Sequence, residues 1–147
     1  MKTINKPGIE ILPHRPPFLF LDRVVSYDKA ESVGEVTFGP DRDFFKGHFP
    51  DYPVVPGVIL LEAMAQAAAA GVLVGEESGD YAPTSNILLF AGADDVRFRM
   101  QVRPGDTLRT QATVLRIGHG FAKFKVSGYV NDNLAVEATI RCMAQRS

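Results

Sequence analysis

Residues 58–74, VILLEAMAQAAAAGVLV, are the stretch that most limits what this chain can become. Ala, Leu and Met, all strong helix formers, dominate it. Pro56 suits a first helical turn, where its missing N–H has no intrahelical partner to lose, and Gly75 is a natural stop. The pattern predicts a helix over Pro56–Val74, about 28 Å long at 1.5 Å per residue. Apart from Glu62 and Gln66 it carries no strongly polar side chain. It therefore has no face to offer water and has to be buried on nearly every side. A small protein can bury a helix in that way only by wrapping something around it.

The remaining segments supply the wrapper. Phe18–Tyr27 and Ser32–Phe38 read as two strands joined by the polar turn Asp28-Lys29-Ala30-Glu31. Ser85–Met100, Thr107–Ile117, Phe121–Asn131 and Leu134–Met143 read as four more, separated by Arg103-Pro104-Gly105-Asp106, Gly118-His119-Gly120 and Asn131-Asp132-Asn133. Residues 1–17 are expected to form an irregular arm with a helical turn near Ile9–Leu12. Residues 39–55, with Pro40, Pro50 and Pro53, read as a loop. The length of 147 residues fits one domain, 1–147. The expected class is α+β: a strongly curved antiparallel sheet wrapped around one long central helix, because helix and sheet each need a partner for an apolar face.

Several functions are disfavoured at once. With a net charge of -1 and no run of Lys or Arg, nothing marks a nucleic-acid partner. A single cysteine, Cys142, excludes an intrachain disulfide and a Cys-based zinc site, and its apolar strand makes it a packing thiol. His14, His48 and His119 are scattered without HxH or HExxH spacing, so no metal is expected. Phosphate-loop and dinucleotide fingerprints are absent, as is a GxSxG elbow, and no cofactor is expected. The N-terminus lacks a signal-peptide core, and no run approaches the roughly 20 unbroken apolar residues of a membrane span. A cytoplasmic location is the expectation.

Glu62 is the anomaly. It lies too deep in the apolar helix to cap its N-terminus, and burying a carboxylate costs several kcal/mol unless it is paired, protonated or hydrogen-bonded. Gln66, four residues on, shares its face and can hydrogen-bond it. Two readings stand: a structural carboxylate at an interface or solvent gap, or a proton donor. His48 also has two readings, packing residue or base. Its loop is stiffened by prolines, and Phe44, Phe45, Phe49 and Tyr52 can keep water out. Imidazole and carboxyl together suit proton transfer at carbon. At Gly57 the first helical N–H groups lack intrahelical acceptors and can polarise a carbonyl oxygen, unless the glycine serves only the turn after Pro56. His14 reads as structural, and His119 as an exposed turn residue.

Motifs along nearly the whole chain then come together. Leu12-Pro-His-Arg, Pro17-Phe-Leu-Phe-Leu-Asp-Arg-Val24, Phe44-Phe-Lys-Gly-His-Phe-Pro50, Pro53-Val-Val-Pro-Gly-Val58, Leu61-Glu-Ala-Met-Ala-Gln66, Phe90-Ala-Gly and Pro104-Gly-Asp-Thr-Leu108 resemble the FabZ-type β-hydroxyacyl-acyl carrier protein dehydratases. The resemblance implies the hot-dog fold and a lyase that converts a (3R)-hydroxyacyl thioester to the trans-2-enoyl thioester. His48 would take the α-proton and Glu62 would protonate the leaving hydroxyl. Gly57 N–H would bind the thioester carbonyl, and Gln66 would orient Glu62. It further implies a homodimer whose sites combine His from one subunit with Glu from the other, with assembly to hexamers.

An acidic acyl carrier protein bearing a phosphopantetheine-linked substrate is the implied partner. Arg97, Arg99, Arg103, Lys123 and Lys125 are candidate contacts, since residues two apart share a strand face. The chain departs from the family's habits at Pro16, Asp51, Val55, Leu89 and Asp95. Of these, Val55 and Leu89 bear on the acyl chain, together with Phe49 beside His48, and Asp95 bears on carrier docking. The same fold also hosts thioesterases and non-catalytic acyl-thioester binding modules. Against both stands the joint presence of Gly47-His48-Phe49-Pro50 and Leu61-Glu62-Ala63-Met64-Ala65-Gln66.

Overall fold

The computed structural model describes residues 1–85 and 87–145. Its elements run β1 (Lys2–Pro7), a short 3-10 turn (Gly8–Glu10), β2 (Arg23–Tyr27), β3 (Glu31–Thr37), α1 (Phe44–Gly47), α2 (Gly57–Glu77), β4 (Leu88–Phe98), β5 (Thr107–Gly118), β6 (Phe121–Val130) and β7 (Asn133–Ala144). Every strand pairing is antiparallel, and the seven form one sheet in the order β1-β2-β3-β5-β6-β7-β4. α2 packs on the inner face of this sheet against β2 to β7, and Glu77 at its C-terminal end pairs with Lys6 of β1 at 2.8 Å. The wrapped helix expected from residues 58–74 is therefore the architecture found.

The hairpin signals act through backbone geometry. Asn131 and Asp132 have φ of 48° and 66°, and His119 and Gly120 have 54° and 74°. Two positive φ values in a two-residue loop match the right-handed twist of the flanking strands. Strand β6 alternates inward Ala122, Phe124, Val126 with outward Lys123, Lys125, Ser127, so one face builds the core and the other meets solvent.

Several sequence expectations are corrected. The N-terminal arm begins as strand β1, whose polar sequence KTINKP carries no clear apolar alternation; it lies at the sheet edge, where one face suffices. The strand expected over Phe18–Tyr27 starts only at Arg23. Upstream, Phe20 N–H donates to Oε1 of Gln66 at 2.7 Å, and Nε2 of Gln66 donates to the Phe18 carbonyl at 3.0 Å. A side chain of the helix thus takes the backbone groups a strand neighbour would have taken. The loop 39–55 contains the one-turn helix α1. Asn86, within the strand expected over Ser85–Met100, lies outside the described residues.

Gly75 is not a stop: α2 continues to Glu77, 21 residues in all. A Cβ at Gly75 would sit 2.4 Å from the Tyr81 ring and 2.5 Å from the Tyr27 hydroxyl, and one at Gly71 would sit 2.4 Å from Oγ of Ser32. These glycines, with Ala67 one turn earlier, let the helix lie close on β2 and β3. At this length α2 is apolar enough to cross a membrane by composition alone, with mean hydropathy 1.9. Yet 67% of that window is buried inside the protein.

Candidate active site

Two separate parts of the fold hold the residues singled out. The first centres on Glu62. Its Oε2 accepts from Nε2 of Gln66 at 2.8 Å, across one turn of α2. Gln66 is only 1% exposed, and with the Phe18 and Phe20 backbone also engaged, its amide has an oxygen accepting and a nitrogen donating twice. Its orientation is fixed on all sides. Nε2 of His14 stands 3.9 Å from the same Glu62 oxygen, and Nδ1 of His14 is buried with no partner among the described residues. Glu62, Ala65, Gln66 and Ala69 from α2, with Leu88, Leu89, Phe90 and Cys142 from the sheet and His14 from the arm, line a cavity of about 170 Å³. Burial, and secondarily the nearby Glu62 carboxylate, push the Cys142 thiol up to about 12, so it is a neutral wall and not a nucleophile.

His14 was missed in the sequence because a histidine between prolines in an arm has no periodicity to read. Its signal was Leu12, which is buried and carries the arm onto α2.

The second part is the loop after α1. Phe45 is buried, and Phe44 packs edge-on against Phe20 and Phe38 at 6.4 and 6.3 Å, anchoring the short helix that ends at His48. The loop is then tied by Phe49 and Tyr52, each N–H bonded to the other's carbonyl at 3.0 Å, and by Val54 N–H to the His48 carbonyl at 2.9 Å. Nδ1 of His48 lies 3.1 Å from the Val54 carbonyl oxygen. A carbonyl can only accept, so Nδ1 carries a hydrogen, which in the neutral ring leaves the lone pair on Nε2. Phe49 stacks on the imidazole at 4.2 Å. Val55 is buried in the core, its N–H bonded to Val102, and does not line the Glu62 cavity. Gly57 opens α2 with no side-chain cap before it, and a Cβ there would meet the Phe98 ring at 2.8 Å.

Within one chain His48 is not among the residues lining the Glu62 cavity. Of the candidate carrier contacts, Arg99, Lys125 and Arg97 all stand near the Glu137 carboxylate. Arg99 is tied to Glu137 at 3.1 Å, which holds the Glu137 carboxyl below its usual range. Arg103 lies over the Tyr52 ring and bonds its hydroxyl, and Arg97 turns onto the Val96 carbonyl. Lys123 and Lys125 do share the outer face of β6. Asp95 has φ 52° at an irregularity of β4. Among the described residues no His, Cys, Asp or Glu cluster could hold a metal.

An antiparallel sheet around one apolar helix is the hot-dog architecture, and the carboxylate clamped on that helix in a small cavity marks it as a candidate enzyme site. The model of the FabA-like domain matches residues 12–139. The 3-hydroxyacyl-[acyl-carrier-protein] dehydratase FabZ of Albidiferax ferrireducens is 44% identical over 92% of this chain and 89% of its own length. That of Desulforamulus reducens is 45% identical over 89% of each. The chain belongs to the FabA-like family, among its FabZ-type dehydratases. Among solved structures, the dehydratase heterocomplex ApeI:P from Xenorhabdus doucetiae shares the fold with a TM-score of 0.80 over 96% of this chain and 92% of the other, at 20% identity.

Proposed function

We propose that this protein dehydrates (3R)-hydroxyacyl-[acyl-carrier-protein] to the trans-2-enoyl thioester in fatty acid biosynthesis, with Glu62 as acid and His48 as base. The observation that carries the reading is the clamp on Glu62. Gln66 occupies Oε2, so Oε1 is the oxygen left to hold a proton and give it up. Nε2 of His48, with its lone pair free, removes the α-proton of the substrate. The electron pair moves toward the thioester carbonyl, whose oxygen accepts from the Gly57 N–H at the positive end of α2. The α–β double bond then forms as the β-carbon–oxygen bond breaks. Glu62 protonates the departing hydroxyl, which leaves as water.

The base and acid meet across two copies of the chain. Strand β4 is a sheet edge; its own Leu89 and Phe98, and the α2 residue Val58, are 54%, 53% and 72% exposed. An unpaired edge carrying apolar side chains is a surface made to be covered. A second copy related by a two-fold axis covers it reciprocally and brings its His48 loop toward Glu62. Trimers of such dimers are the larger assembly. The acidic carrier protein meets the basic residues Lys123, Lys125, Arg97, Arg99 and Arg103 in the cytoplasm, delivering a pantetheine-linked chain past Phe49 and Leu89.

The test is turnover of β-hydroxyacyl carrier protein by the purified protein, followed by enoyl-thioester absorbance and loss of water by mass. Glu62→Gln and His48→Ala are expected to lower the rate about 10²–10⁴-fold with folding retained. Thiol release instead of water loss would make the protein a thioesterase. Ligand binding without turnover would make it a binding module.

A further inference from the structure

The loop that carries His48 is gripped from outside by three side chains to which the reaction gives no part. Phe49 and Tyr52 exchange both backbone hydrogen bonds at 3.0 Å, so they are tied into one unit, and the Phe49 ring lies on the His48 imidazole at 4.2 Å. From that unit the Tyr52 side chain reaches residues 101–106. Its hydroxyl donates to Oε1 of Gln101 at 2.6 Å and accepts from Nη2 of Arg103. The same nitrogen donates to Oε1 of Gln101 at 3.2 Å, and the guanidinium carbon stands 4.8 Å from the centre of the Tyr52 ring. Three hydrogen bonds close a triangle, and the tyrosine is held by its ring and its hydroxyl at once.

The other side of the triangle is anchored in the core. Val102, between Gln101 and Arg103, is buried, and its carbonyl takes the Val55 N–H at 2.8 Å. Arg103 N–H donates to Oδ2 of Asp106 at 2.8 Å, and Asp106 N–H returns to the Arg103 carbonyl at 3.0 Å. The turn is then tied to buried Phe38, whose N–H donates to the Asp106 carbonyl at 2.9 Å.

Tyr52, Gln101 and Arg103 themselves are exposed. Contacts at the surface exchange with water and contribute little to stability. What such a cluster can supply is orientation, and a base is sensitive to it: a misplacement of about 1 Å can cost about 100-fold in rate.

We propose that Tyr52 and Arg103 are positioning residues for the base. Arg103 and Gln101 fix the Tyr52 hydroxyl, Tyr52 fixes Phe49 through the backbone, and Phe49 fixes the face of the His48 imidazole. Arg103 thus acts on the chemistry through Tyr52, whether or not a carrier protein is present. The proposal rests on the dehydratase reading above and adds how its base is held.

Turnover of the pantetheine thioester of 3-hydroxybutyrate, with no carrier protein in the assay, tests it. Arg103→Ala and Tyr52→Leu are each expected to lower kcat about five- to tenfold with KM and the urea midpoint nearly unchanged. Arg103→Lys, which keeps a cation over the ring, should recover part of the loss. The double variant should lose no more than Tyr52→Leu alone, because the two residues act in series. A second readout needs no turnover. The Nδ1–H of His48, held on the Val54 carbonyl, should give a resolved imidazole proton signal by NMR in wild type and a broadened one in both single variants. Unchanged kcat in Arg103→Ala overturns the proposal and leaves Arg103 to the carrier protein. A rise in KM at constant kcat, or additive losses in the double variant, overturns it too. No turnover by wild type overturns the dehydration, and the positioning of His48 is then decided by the proton signal alone: a signal that ignores both substitutions overturns that as well.

Discussion

Gln66 donates from Nε2 to Oε2 of Glu62 at 2.8 Å while the same amide holds the Phe18 carbonyl and the Phe20 N–H. One buried side chain thus orients the acid and fastens the arm segment that carries His14 toward the cavity. Its replacement by Leu leaves the buried Phe20 N–H and the half-buried Phe18 carbonyl without partners, a loss of about 1–3 kcal/mol for the first and less for the second. Gln66→Leu is expected to lose about 2–4 kcal/mol in urea unfolding, and kcat should fall more than stability alone explains. Gln66→Glu, which keeps an acceptor for Phe20 N–H but sets a second carboxyl beside Glu62, should retain more stability than activity. Equal losses in both would mean that the clamp is structural only.

His14 stands 3.9 Å from the same Glu62 oxygen and lines the same cavity, which makes it a candidate positioning residue for the carboxyl group. His14→Ala should lower kcat about tenfold with little change in KM, since the contact is to the acid and not to the chain. His14→Gln, which retains a donor, should recover part of that loss. A rise in KM at unchanged kcat would show instead that His14 contacts substrate.

The close seat of α2 on the sheet predicts a stability effect remote from chemistry. Gly71→Ala sets a methyl 2.4 Å from Oγ and 3.0 Å from Cβ of the buried Ser32. The cost should be about 1–3 kcal/mol, read as a lowered urea midpoint, and Ser32→Gly in the same chain should recover part of it. Independent, additive losses would mean that the two residues do not compete for space.

Cys142 gives a pH dependence with a definite sign. Burial first, and the Glu62 carboxylate second, lift the thiol from its ordinary 9.0 to about 12. Between those values the unfolded chain has released a proton that the native chain still holds, so stability falls as pH rises from about 9 toward 12. Wild type should lose more stability than Cys142→Ala between about pH 8 and 10. A parallel decline would mean that the thiol ionises alike in both states.

How much of this was legible in the sequence follows from which signals are local. The 3.6-residue period of residues 58–74 exposed Glu62 as a polar residue in the wrong place, and the i+4 spacing identified Gln66 as its partner. The hairpin turns at His119-Gly120 and Asn131-Asp132 carry their geometry in residue type. His14 and β1 were hidden because their meaning lies in what they touch across the fold, and a short polar segment declares none of that. Gly75 misled for a related reason: a glycine that ends a helix and one that admits Tyr27 and Tyr81 beside it look the same in sequence.

The separation of His48 from the Glu62 cavity within one chain makes a prediction that the two dead variants can settle together. In the shared-site arrangement, pairing a His48→Ala chain with a Glu62→Gln chain puts both lesions in the same site. A mixed dimer therefore keeps one site in which His48 from the second variant meets Glu62 from the first, while its other site lacks both groups. Random pairing of equal amounts makes half the dimers mixed, and each has one of two sites intact. Co-refolding the inactive variants should thus restore about a quarter of wild-type activity. Mixing without exchange of subunits should restore none, which guards against residual activity in either preparation. A site completed within one chain gives no recovery under any mixing, and Phe98→Glu, which charges the open edge, would then leave an active monomer by light scattering.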